Sequence, residues 1–516
     1  MRDTQVLIVG AGPTGLVLAL CLTRLGVRVR IVDKTAEPGT TSRALVVHAR
    51  TLEFYRQLGL ADAVVQHGLE FTAASLWVSG RRVGHVPFGE MGRGLSRFPY
   101  MLILPQDEHE PLLIDRLAQM GITVERRTEL VALTNGGDSV RAKLRLSDGS
   151  EEECDALYVA GCDGARSRVR ESLGVGFPGG TYEHLFYVAD VDATGPVING
   201  ELHVALDDAD FLAVFPLKGL ECVRLIGTVR EDAVPTQQQL TWGDVGSRVV
   251  DRLGISVDKV NWFSTYHVHH RVAERFQAGR TFLLGDAAHI HSPVGGQGMN
   301  TGIGDAVNLA WKLAAVLSGR ADARLLSTYE TEREEFAQRL VATTDRAFTI
   351  VTKSGPLARR VRLNVVPRVI PPLFTVARVR RFMFRTISQT GLHYRHSALS
   401  LGKAGRVHGG DRLPWLERVE GTHSGGGESI TDNHDSLASL AWQTHVYGVA
   451  SQAIRTVCGE RGIPLHEFDW SAATGRAGFE RDAAYLVRPD GYVALALPTP
   501  TSAMLATYLD DWKFGL

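Results

Sequence analysis

Val6-Leu7-Ile8-Val9-Gly10-Ala11-Gly12-Pro13-Thr14-Gly15 decides how the first part of this chain folds. Four apolar, mostly β-branched residues have the length and composition of a buried strand, and the glycine-spaced run after them is a tight turn. Residues 16–25 read as a helix that Gly26 stops, and residues 27–32 as a second strand closed by Asp33. Each residue type has a mechanical task if this turn holds a dinucleotide. Gly10 allows the tight turn, Gly12 admits a pyrophosphate and Gly15 lets helix and strand pack closely. Asp33, which stands 23 residues beyond Gly10, accepts ribose hydroxyls. Pro13, Thr14 and Lys34 beside them complete the candidate contacts.

A second ligand-facing turn lies roughly 275 residues downstream, in Gly285-Asp286-Ala287-Ala288-His289-Ile290-His291-Ser292-Pro293-Val294-Gly295-Gly296-Gln297-Gly298-Met299-Asn300. The apolar run 281–284 ends at Gly285 and the acidic Asp286. Glycines recur at 295, 296, 298, 302 and 304, and a helix follows whose apolar positions include Val307, Leu309, Ala310 and Leu313. Its start is expected around residues 302–305. Glycines let backbone amides approach a flat or anionic ligand, and the first turn of a helix aims unpaired N–H groups at it. Two such turns so far apart suggest one long cofactor spanned by a single domain.

Bulk properties fit a globular protein of roughly three domains, at about 150 residues each. Among 516 residues, 44% are hydrophobic and 22% charged. A formal net charge of −1 gives no support for a nucleic-acid partner. The five cysteines (Cys21, Cys154, Cys162, Cys222, Cys458) show neither CxxC nor zinc spacing, which reads as reduced and cytoplasmic. No signal peptide and no run of some 18 apolar residues is present, so no transmembrane segment is expected.

Along the chain, residues 1–175 alternate strand and helix, with a ribbon over 140–146 and 151–158 turned by Asp148-Gly149. Residues 176–275 are poorer in helix signal. Strands are expected over 203–206, 211–215 and 223–229, with Asp207 and Asp208 in a turn. Residues 276–400 return to the first sheet and become helical to about 345, and 401–516 form a separate unit. That unit holds a glycine-rich loop at 424–427 and a Pro489-Asp490-Gly491 turn.

Several of these motifs, in order over about residues 4–345, resemble the class A flavoprotein aromatic hydroxylases, the group that includes phenol, p-hydroxybenzoate and polyketide-tailoring monooxygenases. Ser42-Arg43-Ala44 and His48-Ala49-Arg50-Thr51-Leu52-Glu53 look like the family's loop and helix beside the flavin. Leu104-Pro105-Gln106 with Glu110 is similar to its glutamine-bearing segment, and Asp163-Gly164-Ala165-Arg166-Ser167-Arg168 to its flavin and nicotinamide motif. Asp286 with the glycine run, and Tyr329-Glu330-Thr331-Glu332-Arg333, complete the resemblance; Ser292 stands where many members have proline. What the resemblance implies is an α/β protein with a Rossmann-like FAD-binding domain, a middle β-sheet roofing the substrate, and a C-terminal thioredoxin-like α/β domain. The last would lack its redox motif, because Cys458 is the only cysteine there. FAD would be resident, NADPH or NADH would bind transiently, and no metal is called for. The cofactor contacts implied are Gly10, Gly12, Pro13, Thr14, Gly15, Asp33, Lys34, Arg43, Gln106, Leu130, Asp163, Asp286, Pro293, Gly296, Gly298, Met299 and Asn300. The reaction implied is hydroxylation of a phenolic or polycyclic aromatic substrate through a C4a-hydroperoxyflavin. A homodimer is possible.

Pro293 and Arg43 are the catalytic candidates at the flavin, Pro293 shaping the oxygen-side wall and Arg43 the gate, with Arg166 for the reductant's phosphate. A phenol has a pKa near 10, so about one molecule in a thousand is ionised at pH 7. Tyr187, His203 and His85 are candidates to assist deprotonation, because they fall where the cavity is expected. Phe186, Phe211, Phe215 and Trp262 are candidate walls. His289 and His291 lack a third ligand with metal spacing. A flavin-dependent halogenase would carry a Trp-x-Trp-x-Ile-Pro segment, which does not occur. A flavin oxidase or reductase, or an epoxidising or Baeyer–Villiger-type tailoring enzyme, is the alternative. Between 346 and 410 there is no acidic residue, yet eight arginines fall over 359–385. That stretch reads as a solvated or dimer-facing helix pair broken by prolines, or as a segment attracted to an anionic membrane.

Overall fold

The computed structural model describes residues 4–39, 44–87, 91–206, 211–219, 221–229, 240–245, 248–292, 294–352, 360, 365–417, 421–423 and 432–515. Arg43, Pro293, Asp207, Asp208 and the loop 424–427 lie outside the described residues.

The strand Thr4–Val9 sits inside a parallel sheet. It pairs with Val29–Val32 on one side and Glu151–Gly161 on the other, and Thr281–Leu283 pairs beyond the latter. Such strands bury both faces, which is why they read as unbroken apolar runs: Val6, Leu7 and Ile8 are all fully buried. The expected ribbon is present, with Val140–Arg145 antiparallel to Glu151–Gly161 and Glu129–Asn135 extending it.

Helix Pro13–Arg24 begins with proline, which forgoes an N–H that has no intrahelical partner in any case. Helix Gln297–Leu317 packs against it and starts about five residues earlier than the glycine spacing suggested. Gly296, with φ +62°, is its N-cap, so Gly298, Gly302 and Gly304 lie within the helix. Packing explains Gly302. A Cβ on Gly302 would stand 2.3 Å from Thr14 Oγ1 and 3.1 Å from Gly285 Cα. Thr14, Gly285 and Gly302 therefore press the two distant turns together with no space for a methyl group.

The middle sheet has eight strands and is larger than the three expected. Gly179–Thr194 and Ser256–Val272 form its long antiparallel pair, continued by Cys222–Thr228, Phe211–Pro216 and Leu202–Leu206. Ala73–Val78 and Arg81–Pro87 finish it, so this sheet is not built from residues 176–275 alone. Its two faces have different neighbours. Tyr187, Ala189, Val191, Val223 and Leu225 pack outward with Leu240, Val245 and Val249. Phe215, Cys222 and Ile226 pack inward against Leu45, Val46, Met101 and Ile103.

A mixed sheet completes the α/β architecture at the C-terminal end. Gln443–Tyr447 pairs parallel with Leu465–Phe468 and antiparallel with Ala484–Val487, which is followed by Val493–Leu497. Helices Gln452–Arg461 and Ser502–Asp511 pack together beside this sheet. The Pro489-Asp490-Gly491 turn joins its last hairpin, with Gly491 at φ +75°. Cys458 is buried beside Thr444, with no second cysteine in that unit.

Gly302→Ala tests the contact between the turns. Overpacking of this kind costs about 1–3 kcal/mol, and urea unfolding should register a loss of that size. Gly459→Ala, inside the helix Gln452–Arg461 where a Cβ meets nothing within 4 Å, should instead raise stability by about 0.5–1 kcal/mol.

Candidate functional site

Four parallel strands end on one edge, and each delivers a residue the sequence had singled out. Thr4–Val9 runs into Gly10, Val29–Val32 into Asp33, Glu151–Gly161 toward Asp163, and Thr281–Leu283 toward Gly285 and Asp286. In open α/β sheets the crevice outside the carboxyl ends of the strands is where nucleotides bind. The helix Pro13–Arg24 starts at that crevice, with its amide end facing the turn.

Residue by residue, the edge fits a flavin dinucleotide. Gly10 (φ +104°) has no alternative, since a Cβ there would lie 2.3 Å from the Cys162 carbonyl. At Gly15 a Cβ would lie 2.0 Å from the Gly10 carbonyl, whereas Gly12 has nothing within 4 Å and stands open to a guest. Asp33 Oδ2 accepts from the Ala11 amide at 2.7 Å and Oδ1 from Thr35, which fixes the carboxylate beside the turn. Asp163 Oδ2 accepts from the Arg168 and Val169 amides, and burial pushes its carboxyl above the ordinary value. Polar atoms buried without a protein partner recur along these segments: Arg126 Nη2 beside Asp33, Asp163 Oδ1, His48 Nδ1 and Ser292 Oγ. Buried polar groups need partners, and a long polar cofactor supplies them.

Other expected contacts are placed as follows. Gln106 opens the helix Gln106–Gln119 and donates to Glu110 at 2.6 Å, while Glu110 also accepts from the Gly39 amide. Leu130 is buried in the first core, and Lys34 and Arg166 are exposed. Met299 and Gly298 are half-buried on the first turn of the helix Gln297–Leu317. Asn300 is different. Its Nδ2 donates to the Val46 and Gly296 carbonyls, and its Oδ1 accepts from the His48 amide and Thr51. With both protons and both lone pairs spent, the side chain clamps the loop and has nothing left for a ligand. His48 completes the clamp, donating from Nε2 to the Gly295 carbonyl at 2.9 Å; burial lowers its pKa to about 4, so the ring is neutral.

A buried charge that the motifs did not disclose lies beneath this edge. Asp305 accepts from the Gly285 amide (2.9 Å), His289 Nε2 (2.8 Å) and Arg333 Nε (2.5 Å). Burial, its largest influence, acts to raise its pKa; Arg333 and then His289 reverse that and hold it below the usual carboxylate range. Arg333 also donates to Tyr394 and the Thr301 carbonyl. His289 and His291 thus have protein partners, Asp305 for the first and the Ser292 carbonyl for the second.

Tyr187, His203 and His85 require correction. Side chains alternate across a strand, and these three fall on the outer face of the middle sheet. Tyr187 packs against Trp242 and Phe263. His203 accepts from Trp77 Nε1 at 3.0 Å and bonds Asn199 at 2.8 Å, while His85 pairs with Ser75. The inward face carries Phe186, Phe211, Phe215 and Trp262 as expected, and also Arg224, which sequence reasoning passed over. Arg224 alternates with outward-facing Val223 and Leu225, is 1% exposed, and grips Asp190 with two bonds of 2.6 and 2.7 Å. Its remaining Nη1 is buried without a protein partner among the described residues. The signal was an arginine in the middle of an apolar strand.

Comparison with known proteins agrees with this geometry. Residues 3–344 match the family model described as an FAD binding domain. The chain is 36% identical to a 6-methylpretetramide 4-monooxygenase of Streptomyces rimosus, over 95% of this chain and 90% of the relative. It is 33% identical to the pentachlorophenol 4-monooxygenase of Sphingobium chlorophenolicum, over 71% of this chain and 68% of the relative. An anhydrotetracycline hydroxylase structure from Streptomyces rimosus superposes with a TM-score of 0.79 at 28% identity, covering 100% of both chains. An aklavinone-11 hydroxylase in complex with FAD and aklavinone gives 0.79 at 26% identity, over 100% of this chain and 99% of that one.

Asp305→Asn should cost about 3–5 kcal/mol near neutral pH, because Arg333 is left as a buried, weakly compensated cation. The carboxyl is depressed in the folded state, so its stabilisation is complete above the unfolded pKa and lost as pH falls through the folded one. Urea titrations should therefore show the gap between wild type and variant narrowing below about pH 4.

Proposed function

The chain belongs to the FAD-dependent aromatic hydroxylases, and on that premise we propose that it places one oxygen atom of O2 onto a fused-ring phenolic substrate held between the flavin and the middle sheet, with NAD(P)H as reductant. The observation that carries this reading is the inward face of that sheet, where Phe215 and Trp262 flank one buried arginine whose Nη1 has no protein partner among the described residues. FAD, when bound, supplies the chemistry that takes electrons from NAD(P)H and delivers oxygen to an electron-rich ring. Relatives that match nearly the whole chain are named for fused-ring compounds, 6-methylpretetramide and anhydrotetracycline among them, which favours such a guest over a simple phenol.

The residues divide the work. In this reading Gly10, Gly12, Thr14, Gly15 and Asp33 hold the adenosine and diphosphate end of the cofactor. Asp163, Asp286, Gly296, Gly298 and Met299 line the remainder, and Gln106 and Leu130 flank it. The amide end of the helix Gln297–Leu317 favours negative charge on the nearby ring system, by about 0.3–1 kcal/mol and up to ~2 when partly buried. Phe186, Phe211, Phe215 and Trp262 exclude water from the reacting ring.

Arg224 Nη1 is the group we assign to the substrate oxygen. Bringing a phenol of pKa near 10 to half ionisation at pH 7 requires roughly 4 kcal/mol. One hydrogen bond to a charged group contributes about 1.5–3 kcal/mol, so Arg224 supplies part of that and orients the ring. Asp190 keeps the guanidinium in one rotamer, so little freedom is lost when the substrate arrives.

Among the described residues no helix is long and apolar enough to cross a membrane. The five cysteines form no disulfide, which supports a reducing cytoplasmic setting, and a homodimer remains part of the reading, to be checked by light scattering.

Turnover under 18O2 with fused-ring phenols should place one labelled atom in the product. Consumption of NAD(P)H with hydrogen peroxide as the sole oxygen product, across such a panel, would defeat the monooxygenase reading for these substrates. Arg224→Gln should raise KM for the aromatic substrate about 10–100-fold, matching the lost charged hydrogen bond, while FAD content stays at the wild-type level.

A further inference from the structure

The acid-free stretch 346–410 contributes to a cavity beside the C-terminal unit. A cavity of about 410 Å³ opens where the helix Ala377–Ile387 and residues 390–395 meet the C-terminal unit. Six arginines line it, Arg381, Arg385, Arg395, Arg406, Arg412 and Arg476, and Asp411 is the single acid of the lining among the described residues. Two of the six are neutralised. Arg395 holds Asp411 with bonds of 2.6 and 3.0 Å, and Arg412 is spent on Glu53. Arg406 donates only to the Gly475 and Arg476 carbonyls, which carry no net charge. No ion pair within 4 Å engages Arg381, Arg385 or Arg476 among the described residues.

We propose that this cavity binds a diphosphate group. Four arginines without a carboxylate partner among the described residues call for a ligand with several negative charges, and guanidinium forks match phosphate oxygens in pairs. The volume lies within the range of small-molecule sites. Trp415, also in the lining, carries a buried Nε1–H without a protein partner, a donor that the cavity leaves unused. Burial first, then Arg412, with Arg381 and Arg395 adding to them, holds the Arg385 guanidinium below its ordinary value, and a bound anion would relieve that repulsion. A lipid surface fits less well, because the arginines converge into a concavity from separate segments rather than spreading along one helix face. The site does not depend on the reaction proposed above, although it is close to it. Ile387 packs with Leu45 and Val46, and Gln389 donates to Gln297 and Thr301 on the flavin-side helix.

Three sources carry this chemistry: free diphosphate, a mononucleotide and a dinucleotide reductant. Calorimetry on the FAD-loaded enzyme at 0.15 M salt should separate them, using pyrophosphate, ADP, NADPH, orthophosphate and sulfate. Pyrophosphate or ADP should bind at least tenfold more tightly than orthophosphate or sulfate. The Arg385→Gln and Arg476→Gln variants should each lose at least fivefold while keeping their FAD. ADP binding should also slow hydrogen exchange in residues 390–395 and 406–415, a readout that needs no variant. If ADP binds tighter than pyrophosphate the ligand is a nucleotide, and if NADPH displaces ADP it is the reductant. Equal binding of all five anions, diphosphate affinity unchanged in both variants, or no binding below 5 mM on an order-of-magnitude scale overturns the site. None of these outcomes bears on whether the enzyme oxygenates a phenol.

Discussion

Asp305 is a carboxylate shut away from water at the crossing of the two turns, and its three bonds reach three parts of the chain. An unpaired charge in such a place costs several kcal/mol, so the surrounding geometry is set by the need to satisfy it. The Gly285 amide must point inward, His289 must present Nε2, and the helix Ser327–Thr352 must bring Arg333 alongside. Once these are met, Gly285 and Gly302 lie close enough to Thr14 to exclude a methyl group, and the crevice between the two glycine turns has its shape. The buried anion thereby holds the backbone of the second turn in place.

A second buried ionic cluster fastens the C-terminal unit to the rest. Glu332 accepts from Lys312 (2.9 Å), Asn308, Ser397 and both arms of Arg488, and Arg488 in turn grips Asp490. Arg50 donates to the Asp490 carbonyl and to Glu53, which is shared with Arg412. For Glu332, burial acts upward on the pKa while Arg488 and Lys312 outweigh it, leaving the carboxyl well below its usual value. Buried pairs add little net stability over apolar packing, but mispairing them is expensive. The cluster therefore selects one docking arrangement more than it strengthens it.

The parallel sheet, both glycine turns and the place of Asp33, Asp163 and Asp286 at the strand ends are legible in the sequence because each is local. A strand end, a tight turn and a helix start are written in consecutive residues. The helix starts at Gln297, earlier than the glycines suggest, because Gly298, Gly302 and Gly304 read as loop; Gly302 is there for the approach of Thr14, nearly 290 residues away in sequence on a rough count, and Gly304 lies against Arg333. Tyr187 and His203 were assigned to the wrong face because sheet register, not residue type, decides which way a side chain points. Asn300 is expected as a cofactor contact, yet its amide is consumed by the loop it anchors. Glu332 and Arg333 fall in a recognisable motif, but their partners Arg488 and Tyr394 come from regions whose pairing no short pattern records.

The docking cluster has a consequence for how the polypeptide is made. Arg50 and the Asp490 carbonyl that receives it are separated by 440 positions. At ribosomal speeds of about 5–20 residues per second, the early helix emerges roughly 20–90 s before its counterpart exists. Throughout that interval two arginine-glutamate neighbours destined for burial stay hydrated at the surface of a nascent intermediate. Docking of the C-terminal unit thus waits for translation of the final segment, and a prematurely terminated product would leave Arg50 and Glu53 open to water.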